Sequence, residues 1–115
     1  MIQLKRVYDA VAAADGQRFL IERLWPRGIK KTDLKIDGWI KEMGPSTNLR
    51  KWFNHDPAKW DGFRQRYSRE LEKKPSVWQP ILEASQKGTV TLIYSSHDEQ
   101  HNNAVALAEY LKQKS

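Results

Sequence analysis

Cysteine is absent from the 115 residues, which removes disulfides, thiolate nucleophiles and zinc–thiolate sites together and leaves packing alone to hold the fold. That composition suits a reducing compartment, so a cytoplasmic location is expected. Long apolar runs are also missing. Nothing approaches the roughly 20 apolar residues of a membrane span, and the opening MIQLKRVYDAV has no apolar core that would serve as a signal peptide. No membrane partner is therefore expected. Phosphate-loop and nucleophile-elbow motifs are absent as well: GPST at 44–47 has neither the lysine nor the spacing of a P-loop. No repeat, linker or low-complexity segment interrupts the chain, and no cofactor motif is present.

Acidic residues are in short supply, 14 Asp and Glu against 20 Lys and Arg, for a net charge of +6. The excess is local. Residues 1–35 hold eight Lys/Arg against four Asp/Glu, residues 50–74 repeat that ratio, and the remainder holds four against six. A basic surface concentrates anions of every kind, from nucleic acids to acidic metabolites, without selecting among them; it also serves solubility alone.

The length suits one domain, 1–115, with a single core. IQLKRVY at 2–8 alternates apolar and polar, RFLIERLW at 18–25 is a dense apolar run after the Asp15-Gly16 turn signal, and TVTLIYSS at 89–96 is a clear strand. Between them the period turns helical. Leu34, Ile36, Trp39, Ile40 and Met43 predict a short helix ending at Gly44, although Gly38 weakens it. Ser46 or Thr47 caps the next one. Asp56-Pro57 starts another, in which Trp60, Phe63, Tyr67 and Leu71 form one apolar stripe while Arg64, Arg66 and Arg69 fall largely off it. A helix over 76–87 follows, with Pro80 early and Gly88 beyond its end, and NNAVALAEYLKQK closes the chain as a helix. The order predicts a small single-domain α/β sandwich: a partly parallel sheet flanked by helices.

In open α/β sheets, ligands bind outside the carboxyl ends of strands. Two such ends are visible, ERLWPRGIKKTD and YSSHDEQHNN. In the first, Arg23 and Arg27 offer planar forks suited to phosphate or carboxylate, Trp25 offers a flat wall, and Pro26 with Gly28 shapes the exit. The alternative is an Arg23 paired with Glu22 or Asp33 and a Trp25 that fills core. In the second, Ser96 and Glu99 form a possible capping box, and Tyr94, Ser95 and Ser96 near His97 or His101 are hydroxyls beside a potential base. HDEQH resembles a helical zinc pair, but Asp98 stands where a zincin has glutamate and no third ligand is evident, so no metal site is expected.

Four stretches, KRVYDA, RLWPRGIKK, PSTNLRKWFNHDPAKWDGFRQRY and VTLIYSSHDEQHNNAVALAEYL, together resemble the YeaO-like family of bacterial proteins, over nearly the whole chain and in order. The family is a domain of unknown function, so the resemblance implies a fold and a compartment but no reaction. Its pattern resembles Lys5, Arg6, Tyr8 and Asp9; Arg23 to Gly28; Ser46, Leu49 and Arg50; and Asn102. His97 departs from it, since Arg or Lys is frequent there.

The leading expectation is a pocket for a small anionic or phosphate-bearing molecule. Arg23 and Arg27 hold its charge, Trp25 and Tyr94 form walls, and Lys5, Arg6, Tyr8 and Asn102 add contacts. For catalysis, Asp9, Ser95 and His101 are the nominees. The alternative is a nucleic-acid-binding module, with Arg50, Lys51, Arg64 and Arg66 on RNA phosphates. A continuous basic stripe favours that alternative; convergence of basic residues on a cleft favours the small ligand. Oligomeric state is not legible.

Overall fold

The computed structural model describes residues 1–115. Strands β1 (Ile2–Arg6), β2 (Gln17–Leu20), β3 (Gly38–Trp39) and β4 (Val90–Tyr94) form one sheet in the order β1-β4-β2-β3. Every pairing is parallel, where a partly parallel sheet was expected. Parallel strands covered on both faces read as continuous apolar runs, and VTLIY of β4 is buried throughout. Alternation along the strand sends Val90, Leu92 and Tyr94 into one apolar cluster and Ile93 into another.

The larger cluster contains buried residues from all four helices, α1 (Thr47–Phe53), α2 (Trp60–Glu72), α3 (Pro75–Lys87) and α4 (Asn103–Lys114). The aromatic stripe behaves as its spacing predicts: Phe63, Tyr67 and Leu71 are buried and Trp60 half-buried. Tyr67 also donates its hydroxyl to the Met43 carbonyl, and burial pushes its phenol far above the ordinary range. The caps follow from short polar side chains. Ser46 Oγ accepts from Leu49 N (3.1 Å), Asp56 Oδ1 from Ala58 N (3.0 Å) ahead of a 3-10 turn that runs into α2, and Asn102 Oδ1 from Val105 N (3.0 Å).

Two expectations are corrected. Residues 34–44 are not a helix; they hold the two-residue strand β3 and a 3-10 turn at Lys41–Met43. Gly38 and Trp39 pair with Phe19 and Leu20, while Leu34, Ile36 and Trp39 join Trp25 and Ile29 over the face of the sheet that carries Ile93. Ile40 and Met43 pack instead with the larger cluster, so the near-helical spacing belongs to a non-helical segment divided between the two clusters. The Ser96–Glu99 capping box does not form either, because Ser96 Oγ accepts from Asp98 N (3.1 Å) and α4 begins only after Asn102. His97 and His101 therefore share no helix face. The second strand is shorter than 18–25, and beside it sits a buried ion cluster: Asp15 pairs with Arg18 (2.5 Å) and with Lys5 (2.8 Å).

Candidate functional site

After β2 the chain reaches Glu22 and Arg23 and then crosses to the other face. Trp25 packs edge-on to Trp39 (5.2 Å between ring centres) and donates Nε1–H to the Ile29 carbonyl at 2.6 Å. Pro26 is buried, and Gly28 takes a left-handed φ of 76° that turns the chain back. RLWPRG is thus a corner whose first arginine stays at the sheet's carboxyl edge and whose second does not.

At that edge, where β2 and β4 end, lies a cleft of about 530 Å³, the position favoured for ligands in open α/β sheets. Glu22, Arg23 and Leu24 line it from the β2 exit, and Ser95 and Ser96 from the β4 exit. Pro45, Thr47, Arg50, Lys51, Phe53, Asn54 and His55 come from α1 and its flanks, His101, Asn102 and Asn103 from the start of α4, and Phe63 from α2. Its permanent charges are three cations, Arg23, Arg50 and Lys51, against the single carboxylate of Glu22.

That carboxylate is already engaged. Glu22 Oε1 accepts from Ser95 N at 2.8 Å, and the Ser95 hydroxyl donates to Oε2 at 2.8 Å, tying the two strand exits together. Arg23 is half-buried and fixed by one bond, Nε donating to the Pro45 carbonyl at 2.8 Å. No carboxylate pairs with its guanidinium, and the two terminal nitrogens have no protein partner. Gly44 permits this arrangement: a Cβ there would lie 2.9 Å from Arg23 N and 3.1 Å from its Cγ.

Two further features shape the rim. Asn54 and His55 both hold left-handed φ values, 48° and 55°, a conformation that non-glycine residues adopt at a cost and that clusters at functional sites. Opposite them, Asp98 closes a turn, its Oδ1 accepting from Gln100 N (2.9 Å) and His101 N (3.0 Å) while Oδ2 meets His101 Nδ1 at 2.9 Å. The Gln100 amide and then the His101 ring hold the Asp98 carboxyl below its usual range. The His101 ring stands edge-on to Trp60 at 5.3 Å.

Of the residues expected from sequence, Arg23, Asn102, Ser95 and His101 line the cleft. Asn102 is buried and spends its amide on structure, Oδ1 capping α4 and Nδ2 donating to the Asp98 carbonyl (2.9 Å). The others lie elsewhere. Lys5 belongs to the Asp15 cluster. Asp9 accepts from Arg6 N (2.9 Å) in a turn after β1. Tyr8 is exposed, lies against Arg6 and donates its hydroxyl to the Arg27 carbonyl at 3.4 Å; Arg27 itself is exposed. Tyr94 is buried in the main cluster, and burial raises its phenol's pKa. Arg6 supports the cleft from outside, donating from Nε to the Ser96 carbonyl (2.9 Å) and from Nη2 to that of Ser95 (3.4 Å).

Sequence reasoning did not place Glu22, Asn54, His55 or Asn103 here, and it assigned Arg50 and Lys51 to a nucleic-acid surface. The Asn-His-Asp-Pro stretch carried the missed signal, because asparagine is among the few residues that tolerate a left-handed turn after a helix. Chemically the cleft offers donors. Ser95 is bonded to Glu22 and His101 to Asp98, so the two nominees do not form a nucleophile–base pair. No three His, Cys, Asp or Glu groups converge as metal ligands.

All of residues 1–115 match the family model described as the inactive DUF488-N3 subclade. The chain is 44% identical to the uncharacterized protein YeaO of Escherichia coli strain K12, covering 96% of each. It is 33% identical to the uncharacterized proteins Mb3100c of Mycobacterium bovis and Rv3073c of Mycobacterium tuberculosis, over 96% of this chain and 92% of theirs. No solved structure matches it. By a family model spanning its full length and by these relatives, the chain belongs to the YeaO-like family, in the branch described as the inactive DUF488-N3 subclade.

Proposed function

We propose that the cleft binds a small anionic molecule, with Arg23 as its principal ligand. One observation carries this reading: a half-buried guanidinium fixed through Nε to the Pro45 carbonyl, with both terminal nitrogens free and no carboxylate partner. Removing a guanidinium from water without a counter-charge is costly, and a bound anion relieves that cost while exploiting the planar fork. Arg50 and Lys51 add charge, and Phe53 and Phe63 supply apolar floor.

Binding rather than turnover is supported by the separate engagement of Ser95 and His101, and by the family description as inactive. The distribution of basic residues supports a small ligand over RNA. Arg64 is held by Asp61 and Glu109, Arg66 lies 3.7 Å over the Trp52 ring, and Arg50 and Lys51 sit on the cleft. A cytoplasmic setting fits the cysteine-free composition, and no helix is long and apolar enough to cross a membrane.

The test is thermal unfolding with a panel of phosphate-bearing metabolites. At a concentration 100 times its Kd, a ligand stabilises the native state by about 2.7 kcal/mol. Arg23→Lys keeps the charge but loses the fork, so most of the ligand-induced rise disappears, while unliganded stability falls by only about 1 kcal/mol for one hydrogen bond. Arg27→Lys, at an exposed position, leaves the rise intact. A wild-type response in Arg23→Lys would overturn the assignment.

A further inference from the structure

We propose that His101 is a proton-linked ligand of this cleft, which makes the cleft selective for dianions such as phosphate monoesters; the inference rests on the anion-binding reading above. The geometry supplies the coupling. His101 lines the cleft, its Nδ1 is bound to Asp98 Oδ2 at 2.9 Å, and Nε2 has no protein partner. With the Nδ1 proton donated to Asp98, a neutral ring presents a lone pair at Nε2, which repels an anionic oxygen. A protonated ring donates from both nitrogens. Anion and proton therefore bind together or not at all at this position.

The groups that face the ring come from several elements. From α1, Arg50 and Lys51, with His55 just beyond the helix, face the same space, and from the β2 exit Arg23 and Glu22 do so. On its own segment His101 has Asp98 as partner and Glu99 nearby. From α2 it meets Trp60, whose ring carries Arg64, itself neutralised by Asp61 and Glu109. An anion that enters beside Nε2 favours the protonated ring, which donates to it, over the neutral ring, which presents a lone pair. The proton taken up is matched by Asp98 behind the ring. Three cations against one carboxylate then leave two positive charges, the complement of a dianion. A phosphate diester, with one charge, leaves this balance unmet.

The experiment uses inorganic sulfate, a dianion that does not itself titrate between pH 5.5 and 8, so that any linked proton is the protein's. Calorimetric titration of the full chain at about pH 7.5, in two buffers of different ionisation enthalpy, counts the protons taken up per sulfate. The expected result is an uptake approaching one, with affinity rising by up to about tenfold per pH unit as the pH falls toward the ordinary histidine pKa. His101→Gln abolishes the uptake and flattens the pH dependence. Asp98→Asn, which keeps Oδ1 as the acceptor that closes the turn, reduces the uptake without removing the ring, and so tests the idea even where His101→Gln disturbs the Trp60 contact. His97→Gln, whose ring meets Arg6 outside the cleft at 3.3 Å, retains full uptake. Methyl phosphate binds at least tenfold more tightly than dimethyl phosphate. Sulfate binding with no proton uptake, or uptake that survives in His101→Gln, overturns the inference and leaves the anion cleft standing. Failure of sulfate to bind at any of these pH values overturns both.

Discussion

Phe63 is where core and cleft meet, and truncating it tests both. The side chain is 2% exposed and lies against Phe53 (4.5 Å between ring centres, 33° between planes), Trp60 (5.6 Å, 17°) and Tyr67 (5.7 Å, 32°). Phe63→Ala loses about 2–3 kcal/mol of transfer free energy. It adds a cavity term, and it forfeits ring contacts worth about 0.5–1.5 kcal/mol each beyond burial. Relaxation of the neighbouring rings recovers part of this, so the net cost is about 4 kcal/mol, within the range for large core truncations. At about 2.1 cal/mol/K of unfolding entropy per residue, a domain of this size should melt roughly 15 °C lower. Urea unfolding followed by tryptophan fluorescence gives the independent measure, since the midpoint moves while the slope does not if only stability has changed. Because Phe63 also lines the cleft, any anion-dependent rise in melting temperature should shrink in the same variant. An unchanged urea midpoint would refute the packing argument, because no rearrangement of α2 keeps Tyr67 and Leu71 buried while releasing the residue between Trp60 and them.

Other substitutions isolate single interactions. Asp15 is held at about 2 by Lys5 first, then by the Ala12 amide and Arg18; since the folded value lies below the unfolded one, its contribution is complete above about pH 4 and is lost as pH falls toward 2. In Asp15→Asn that acid-dependent component should vanish from a stability–pH profile, and an acid limb identical to wild type would rule the ion cluster out as its source. Asn102→Ala removes the α4 cap and the bond to the Asp98 carbonyl, for an expected cost of about 2 kcal/mol in urea; Asn102→Asp, keeping only the acceptor, should cost less. Gly44→Ala pushes a methyl to within 2.9 Å of Arg23 N, so it should both destabilise the fold and weaken anion binding, and a neutral effect on both would refute the close approach. Single-stranded RNA should bind weakly, with a shallow dependence of log affinity on log salt; a slope of −3 or steeper, meaning four or more phosphates at about −0.7 each, would reinstate the nucleic-acid reading.

What was legible in the sequence depended on whether one local rule decided the structure. The α2 stripe was readable because Trp60, Phe63, Tyr67 and Leu71 repeat at helical spacing and the arginines fall largely off it, so period and charge agree. The β4 strand was readable because a central parallel strand must be apolar on both faces. Residues 34–44 misled for the opposite reason. Their apolar residues divide between the two clusters, Leu34, Ile36 and Trp39 in one and Ile40 and Met43 in the other, along a segment with only a two-residue strand and a 3-10 turn, so a chance approach to helical spacing carried no information. The all-parallel topology follows from crossover connections that single-sequence pattern cannot count, because β3 is too short to announce itself.

The site was half legible, and the division follows a physical line. Strand ends are predictable places for ligands, so the exits after β2 and β4, with Arg23, Ser95, His101 and Asn102, were nominated and do share one cleft. The α1 side was not, because Arg50 and Lys51 are exposed and look the same in sequence whether or not a cleft opens beside them. Side chains that looked available from sequence are occupied in three dimensions: Lys5 by Asp15, Arg6 by the carbonyls of Ser95 and Ser96, Trp25 by Trp39. What separates Arg23 from Arg27 is likewise geometric. Only three residues, a tryptophan and a buried proline among them, lie between the two arginines, yet they carry the chain past the edge of the sheet, so one guanidinium stays with the cleft while the other passes into solvent. Arginine at a strand exit is thus a pointer to a site only when its carbonyl and carboxylate neighbours have been counted. Arg23 and Arg27 both lack a carboxylate, but Arg27 is exposed and answered by water, whereas Arg23 is half-buried with one carbonyl as its partner.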